Sequence, residues 1–289
     1  MAVYEALEAK AEKASSRRGV LIGAPAYVYL VLFFALPLLI VLVYSFASRS
    51  STGLTVLGDW NLDSWSRVFD PGTLRIVWRS LALATITTVA SLLFGYPFAY
   101  WIATRPSRVR ALLLVLVMIP FWSNFLVRTY AIRFLMGSDG PLSVLSQALG
   151  GDVIRVLYTN VAVLIGMVYG YLPFMILPLY AALERMDWRL VEAARDLYAN
   201  GWTAFRQVTL PLSIPGVVAG SVLVFIPSLG AYVIPAILGG SNTVLLGDYI
   251  VSQFLQARNW PFGSALSTMV MIVMLAAPIL YFRRGAKTL

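Results

Sequence analysis

Glu192 and Asp196 stand one helical turn apart in the polar stretch EAARDL (192–197), with Arg189 and Arg195 beside them. Carboxylates at that spacing on a short helix can accept charge-assisted hydrogen bonds from a partner's cations or backbone N–H groups. The 289-residue chain has no His and no Cys. That removes imidazole catalysis, thiol nucleophiles, disulfides and zinc ligation by those side chains. There is no GxxxxGK[ST] phosphate loop, and the three Lys (Lys10, Lys13 and Lys287) all lie near the termini. The chemistry that remains is recognition, and any nucleotide hydrolysis belongs on another polypeptide.

A second group of polar residues sits inside an apolar run. Ser123, Asn124 and Arg128 follow Pro120, where polar groups dissolved in lipid need partners. Arg128 has three options there: to pair, to snorkel outward, or to face a water-filled path. On such a path it would repel a cationic solute and favour an anionic one. Trp122, Tyr130, Tyr171, Phe174 and Tyr232 are aromatic candidates for the same path. Each ring can attract an ammonium group by roughly 0.5–2 kcal/mol. Trp and Tyr also gather at bilayer interfaces whatever a protein does, so packing and lipid contact are the competing explanation.

The elements that must position these residues are transmembrane helices. Hydrophobic residues make up 60% of the chain, mean hydropathy is +0.80 and charged residues are only 12%. Six stretches are apolar enough to cross a bilayer, near 20–46, 77–104, 110–136, 160–183, 216–239 and 262–282. The fifth is interrupted by Pro227, Gly230 and Pro235. The chain carries a net charge of +9, but its cations flank apolar runs, which is a membrane pattern and excludes nucleic acid as a partner. Fourteen basic residues fall on the side of the termini and the 105–110 and 184–215 loops, and at most eight on the other. The positive-inside rule places both termini in the cytoplasm. The expected organisation is a cytoplasmic segment 1–18, a transmembrane domain 19–285 and a tail 286–289. The outer loops at 47–76, 137–159 and 240–261 form a lid or docking surface.

The 184–215 loop carries most of the functional signal. Leu183, Met186, Leu190, Ala193/Ala194 and Leu197 trace one apolar stripe at helical spacing. Asn200-Gly201 marks a turn, and Trp202, Phe205 and Val208 give a second short amphipathic run before Pro211 and Pro215. The expected shape is a hairpin of two short helices at the cytoplasmic mouth. A helix lying on the bilayer would also be amphipathic, but its polar face would favour Lys and Arg over this Glu/Asp/Arg mixture.

EAARDL, followed by Leu210-Pro211, resembles the EAA motif of ATP-binding-cassette importer permeases. The resemblance implies an all-α, type I importer fold of about six spans, with the loop as a coupling helix docked on an ATPase subunit. Glu192, Ala193 and Ala194 would form the docking core, with Arg195, Asp196, Leu197, Gly201, Leu210 and Pro211 completing it. The family usually carries Gly where this chain has Tyr198. At φ > 0, Tyr would cost on the order of 1–2 kcal/mol, so the turn there is expected to shift toward Asn200-Gly201 or the first helix to lengthen. PFWSNFLVRTYAI (120–132), YLPFMILPLYAALERMD (171–187), LGAYVIPAILGG (229–240), LLGDYIVSQF (245–254) and RNWPFGSALS (258–267) resemble the spermidine/putrescine branch. The implied partners are ATPase subunits that carry ATP and Mg, a second permease subunit, an extracytoplasmic solute-binding protein and the lipid of a prokaryotic inner membrane. No cofactor is expected on this chain. An ion-coupled secondary transporter is the rival class, but it needs intramembrane acids that these spans lack. A permease for an amino-acid-like, anionic or sugar solute is the rival within the class.

Overall fold

The computed structural model describes residues 23–50, 53–153, 155–197, 200–240 and 243–285, with side chains described as far as Leu275. The segments 1–18 and 286–289 and Tyr198 lie outside the described residues. The elements in order are α1 (Gly23–Tyr44), β1 (Ser48–Arg49), β2 (Thr55–Val56), α2 (Asp63–Val68), α3 (Pro71–Ala103), α4 (Ser107–Trp122) and α5 (Phe125–Leu135). There follow α6 (Pro141–Ala148), α7 (Asn160–Glu184), α8 (Arg189–Asp196), α9 (Gly201–Leu229), α10 (Leu246–Leu255) and α11 (Trp260–Gly285). Among the described residues the only sheet is the two-stranded antiparallel β1–β2 hairpin.

Four helices, α1, α3, α7 and α9, are long and apolar enough to cross a membrane. The pair α4–α5 passes the same test only jointly, because it bends by 89°. The 26-residue α11 covers the sixth expected stretch. The expected spans thus all contain helix, with two corrections. The stretch 110–136 is a broken pair, because the chain leaves the helical region at Ser123 and Asn124. The fifth span runs over Gly201–Leu229 rather than 216–239, since Pro211 and Pro215 sit inside the helix and Gly230 ends it.

The chain divides into two compact units, 1–69 with 253–289, and 70–252. In the first, α11 lies against α1 and α2. The Tyr44 and Trp260 rings sit 6.1 Å apart, and the Arg67 guanidinium lies 4.4 Å from the centre of the Phe262 ring. Most of α1 is left outside: Tyr27, Phe33 and Phe34 are exposed, which suits a helix whose solvent is lipid.

In the second unit, α3, α7 and α9 form a three-helix core. Lipid tails are as apolar as Leu, so hydrophobic exclusion does little to drive this packing. Close backbone approach at small residues does more. A Cβ on Gly216 would come within 2.6 Å of the Ala182 Cβ and 2.8 Å of the Pro178 carbonyl oxygen. One turn on, a Cβ at Gly220 would meet the Met175 sulfur at 2.7 Å. The substitution Gly216→Val is therefore expected to force α7 and α9 apart and to cost about 1–3 kcal/mol. A lowered melting midpoint of the detergent-solubilised protein, measured against wild type, checks this.

Candidate coupling and translocation sites

The coupling loop begins where α7 ends. Glu184 closes α7 and pairs with Arg110 at 2.9 Å, tying the start of α4 to the foot of α7. The Asp187 side chain then accepts from the Arg189 N–H at 3.0 Å and starts α8. Val191 is the buried residue of α8. It meets Met186 and Ala204 in a small core of its own, with Trp188, Ala194 and Val208 packed around it. The expected apolar stripe is therefore rotated. Leu190 and Ala193 face outward, and Leu197 is 80% exposed, because the helix seats on Val191.

That rotation leaves Glu192, Ala193, Arg195, Asp196 and Leu197 uncovered, with Ala194 half-buried beneath them. The exposed face thus carries two carboxylates, a guanidinium, a methyl group and a Leu side chain. Trp202 is also exposed and stacks on Phe205, with ring centres 5.6 Å apart.

Asn200-Gly201 begins a helix instead of ending one. The Asn200 side chain accepts from the Thr203 N–H at 2.8 Å, a conventional N-cap. Gly201 is exposed with open space around it. The second expected short helix is thus the first turns of α9. Its Phe205–Thr209 stretch widens into a π turn, and the Leu210 N–H reaches back to the Phe205 carbonyl. Pro211 has no N–H to offer, and the wide turn directly ahead of it absorbs the missing bond. Leu210 and Pro211 are both exposed.

Aromatic rings hold this hairpin against the end of α3. The Phe205 ring meets Tyr96 edge-on at 5.4 Å and Tyr100 at 6.3 Å, and Trp188 meets Tyr100 at 5.7 Å. The Tyr96 hydroxyl and Ser213 Oγ share a buried 2.7 Å hydrogen bond. Nothing in the spacing of these residues announced the bracket, because they come from three separate elements.

The α4–α5 elbow collects four of the sequence candidates. Ser123 Oγ donates to the Pro120 carbonyl at 2.7 Å, and Asn124 caps α5 by accepting from the Leu126 and Val127 N–H groups. Trp122 (76% exposed) and Tyr130 project from the elbow. Arg128 neither snorkels nor faces open space. It is 9% exposed, donates to the Pro120 carbonyl at 3.0 Å, and lies 5.0, 5.7 and 5.9 Å from the Phe121, Phe125 and Tyr169 ring centres. A guanidinium on the last carbonyls of a helix complements its dipole. The elbow is closed by its own side chains.

The other candidates are elsewhere. Tyr171 is buried in the α3–α7–α9 core and donates to the Pro227 carbonyl at 3.4 Å, and Phe174 packs edge-on to Phe121 at 4.9 Å. Packing accounts for both. Tyr232 is half-exposed past the end of α9. Arg128→Met removes the guanidinium that bridges the break, and the elbow angle is expected to spread. Because the chain has no native Cys, spin labels placed at Leu112 and Phe134 can report it. A broader distance distribution in the variant than in wild type is the expected result.

Residues 95–286 match the family model described as the binding-protein-dependent transport system inner membrane component. The chain is 42% identical over 257 residues to the spermidine/putrescine transport system permease protein PotB of Haemophilus influenzae, covering 88% of this chain and 90% of that one. Against PotB of Escherichia coli K12 the identity is 40%, covering 88% and 93%. Among solved structures, a bacterial ABC transporter involved in import of the acidic polysaccharide alginate contains a chain that matches with a TM-score of 0.67 at 17% identity, over 95% of this chain and 99% of that one. At that identity the likeness speaks for the fold. The broken helices, the exposed EAARDL surface and these matches place the chain in the family of binding-protein-dependent transport system inner membrane components, the permease subunits of ABC importers.

Proposed function

We propose that this chain is one of two permease subunits of an ATP-driven importer whose cargo is a polyamine such as spermidine or putrescine. The observation that carries the cargo is the identity of 40–42%, held over nearly the full length, to permeases named for those two amines. The placement of Arg128 supports it. A cation lining the path would oppose a polycation, and here that charge is folded onto a carbonyl and three rings.

In this reading both termini are cytoplasmic, as the distribution of basic residues favours. ATP and Mg are held by ATPase subunits docked beneath α8, and an extracytoplasmic binding protein delivers cargo to the opposite face. Glu192 and Asp196 accept hydrogen bonds from the ATPase, while Ala193 allows close approach and Leu197 and Trp202 supply apolar contact. Gly201, Leu210 and Pro211 shape the foot of α9. When the ATPases close, their movement of α8 is passed to α3 through the Trp188–Tyr100 and Phe205–Tyr96 contacts. No covalent chemistry occurs on this chain.

Glu192→Lys tests the docking surface. Reversing one exposed charge leaves the small core under α8 intact, so the variant is expected to insert normally. Co-purification of the ATPase is expected to fall at least tenfold, with uptake of radiolabelled spermidine falling in parallel. Unchanged ATPase recovery and unchanged uptake would remove the coupling assignment.

A further inference from the structure

Where α1 ends, the first unit holds an apolar groove and a polar cavity side by side. The groove, about 400 Å³, is lined by Leu42, Val43, Phe46, Trp60 and Leu62. Arg49, Asp59, Asp63, Ser64, Arg67 and Asn259 line the cavity, about 520 Å³. Asn61 lines both, and its N–H donates to the Phe46 carbonyl at 3.0 Å, which holds the two spaces just past the end of α1. A 22-residue apolar helix has its ends at the bilayer surfaces. The Tyr44 and Trp260 rings, 6.1 Å apart, give this level the aromatic residues usual for it.

The cavity carries two charges of each sign, and none of the four is ion-paired among the described residues. Arg49 gives one N–H to the Ala257 carbonyl at 2.9 Å, and Arg67 lies over the Phe262 ring, so each guanidinium keeps further donors. The Asp59 and Asp63 carboxylates have no hydrogen-bond partner among the described residues. Two polar side chains in the wall are themselves buried, Ser64 at 7% exposure and Asn259 at 3%. Asn259 spends its side-chain oxygen on the Phe262 N–H at 3.4 Å, which leaves its amide N–H groups. The Ser64 hydroxyl has no partner among the described residues. Polar groups kept out of bulk water in this way cost free energy until a ligand or water reaches them. In the adjoining groove Trp60 and Leu62 are mostly exposed.

We propose that the groove and the cavity together form a site for one phospholipid with a primary ammonium in its headgroup, a phosphatidylethanolamine. Its phosphate sits on Arg49 and Arg67, its ammonium donates to Asp59 and Asp63, and an acyl chain follows Leu42 and Val43 along α1. A purely anionic headgroup leaves both carboxylates unpaired. A polyamine sets its charge against both guanidiniums. The zwitterion answers both signs, and the site is independent of which cargo is carried.

The test uses the complete transporter, with its second permease, ATPases and binding protein, purified and stripped of lipid. It is titrated with phosphatidylethanolamine and with phosphatidylcholine of the same acyl chains, and bound lipid is counted by native mass spectrometry. Wild type is expected to hold one phosphatidylethanolamine per copy of this chain about tenfold more tightly than phosphatidylcholine, whose quaternary ammonium has no N–H. The double variant Asp59→Asn/Asp63→Asn is expected to lose that preference and still bind both lipids. Arg49→Gln is expected to weaken both alike. All three substituted side chains are exposed, so normal insertion is expected. The wild-type comparison of the two lipids stands whatever the variants do: equal affinity for both overturns the site. An unchanged preference in the Asp double variant overturns it as well. Soluble phosphoethanolamine, the headgroup without acyl chains, is the last arm. Displacement of the lipid by an equal concentration of it overturns the lipid assignment in favour of a free phosphorylated amine.

Discussion

Hydrocarbon offers no hydrogen bonds, and every interruption of a helix inside it must be closed by the chain itself. This constraint explains the residues around the α4–α5 elbow better than any property of a cargo does. At the elbow the last carbonyls of α4 and the first N–H groups of α5 are freed together. Ser123 and Arg128 take the Pro120 carbonyl, and Asn124 takes two of the N–H groups. Arg128 costs free energy to bury, and it recovers part of that from the carbonyl and from the rings of Phe121, Phe125 and Tyr169. The same constraint governs Pro211 at the foot of α9, where a wider turn replaces a side-chain cap.

Much of this was legible in the sequence, and the parts that were not share a cause. Helix occurs in every stretch that hydropathy picked out because the requirement for about 20 apolar residues acts locally. The EAARDL surface was legible because mixed charge in an otherwise apolar chain needs a reason. The bend at 123–124 was missed because apolar composition is the same for a straight helix and a broken one. Pro120, Ser123 and Asn124 carried the available signal, since Asn is a strong N-cap. The start of α9 lies ahead of the expected 216 because Pro211 and Pro215 read as punctuation in a sequence, whereas a π turn and surrounding helices tolerate them in a membrane. Of the stripe expected over Leu183, Met186, Leu190, Ala193/Ala194 and Leu197, Leu183 and Met186 are buried while Leu190, Ala193 and Leu197 are exposed, because α8 seats on Val191 against Ala204, which comes from another element. The Tyr96–Ser213 bond and the placement of Asp248 are contacts between distant positions, which periodicity cannot report.

The core shared by α3, α7 and α9 is rigid for a physical reason. Gly216 and Gly220 bring backbones into contact with α7, and Gly95 does the same from α3, where a Cβ would stand 3.0 Å from the Met175 side chain. Surfaces fitted at that range cannot slide without a clash. Within this unit the helical pattern departs from α at the elbow and in the π turns Phe205–Thr209 and Pro235–Gly239.

Rigidity in this core gives α9 its mechanical meaning. At 1.5 Å per residue its 29 residues span about 44 Å, the thickness of a bilayer with its headgroups. One end begins at the Asn200 cap beside the exposed α8 surface, and the other ends at the Gly230–Ala231 carbonyls against Gly247. A single element thus joins the exposed α8 surface to the turn that packs on Gly247, next to Asp248. Glycine at 247 leaves no room for α10 to ride over that end, so a tilt of α9 must carry Asp248 with it.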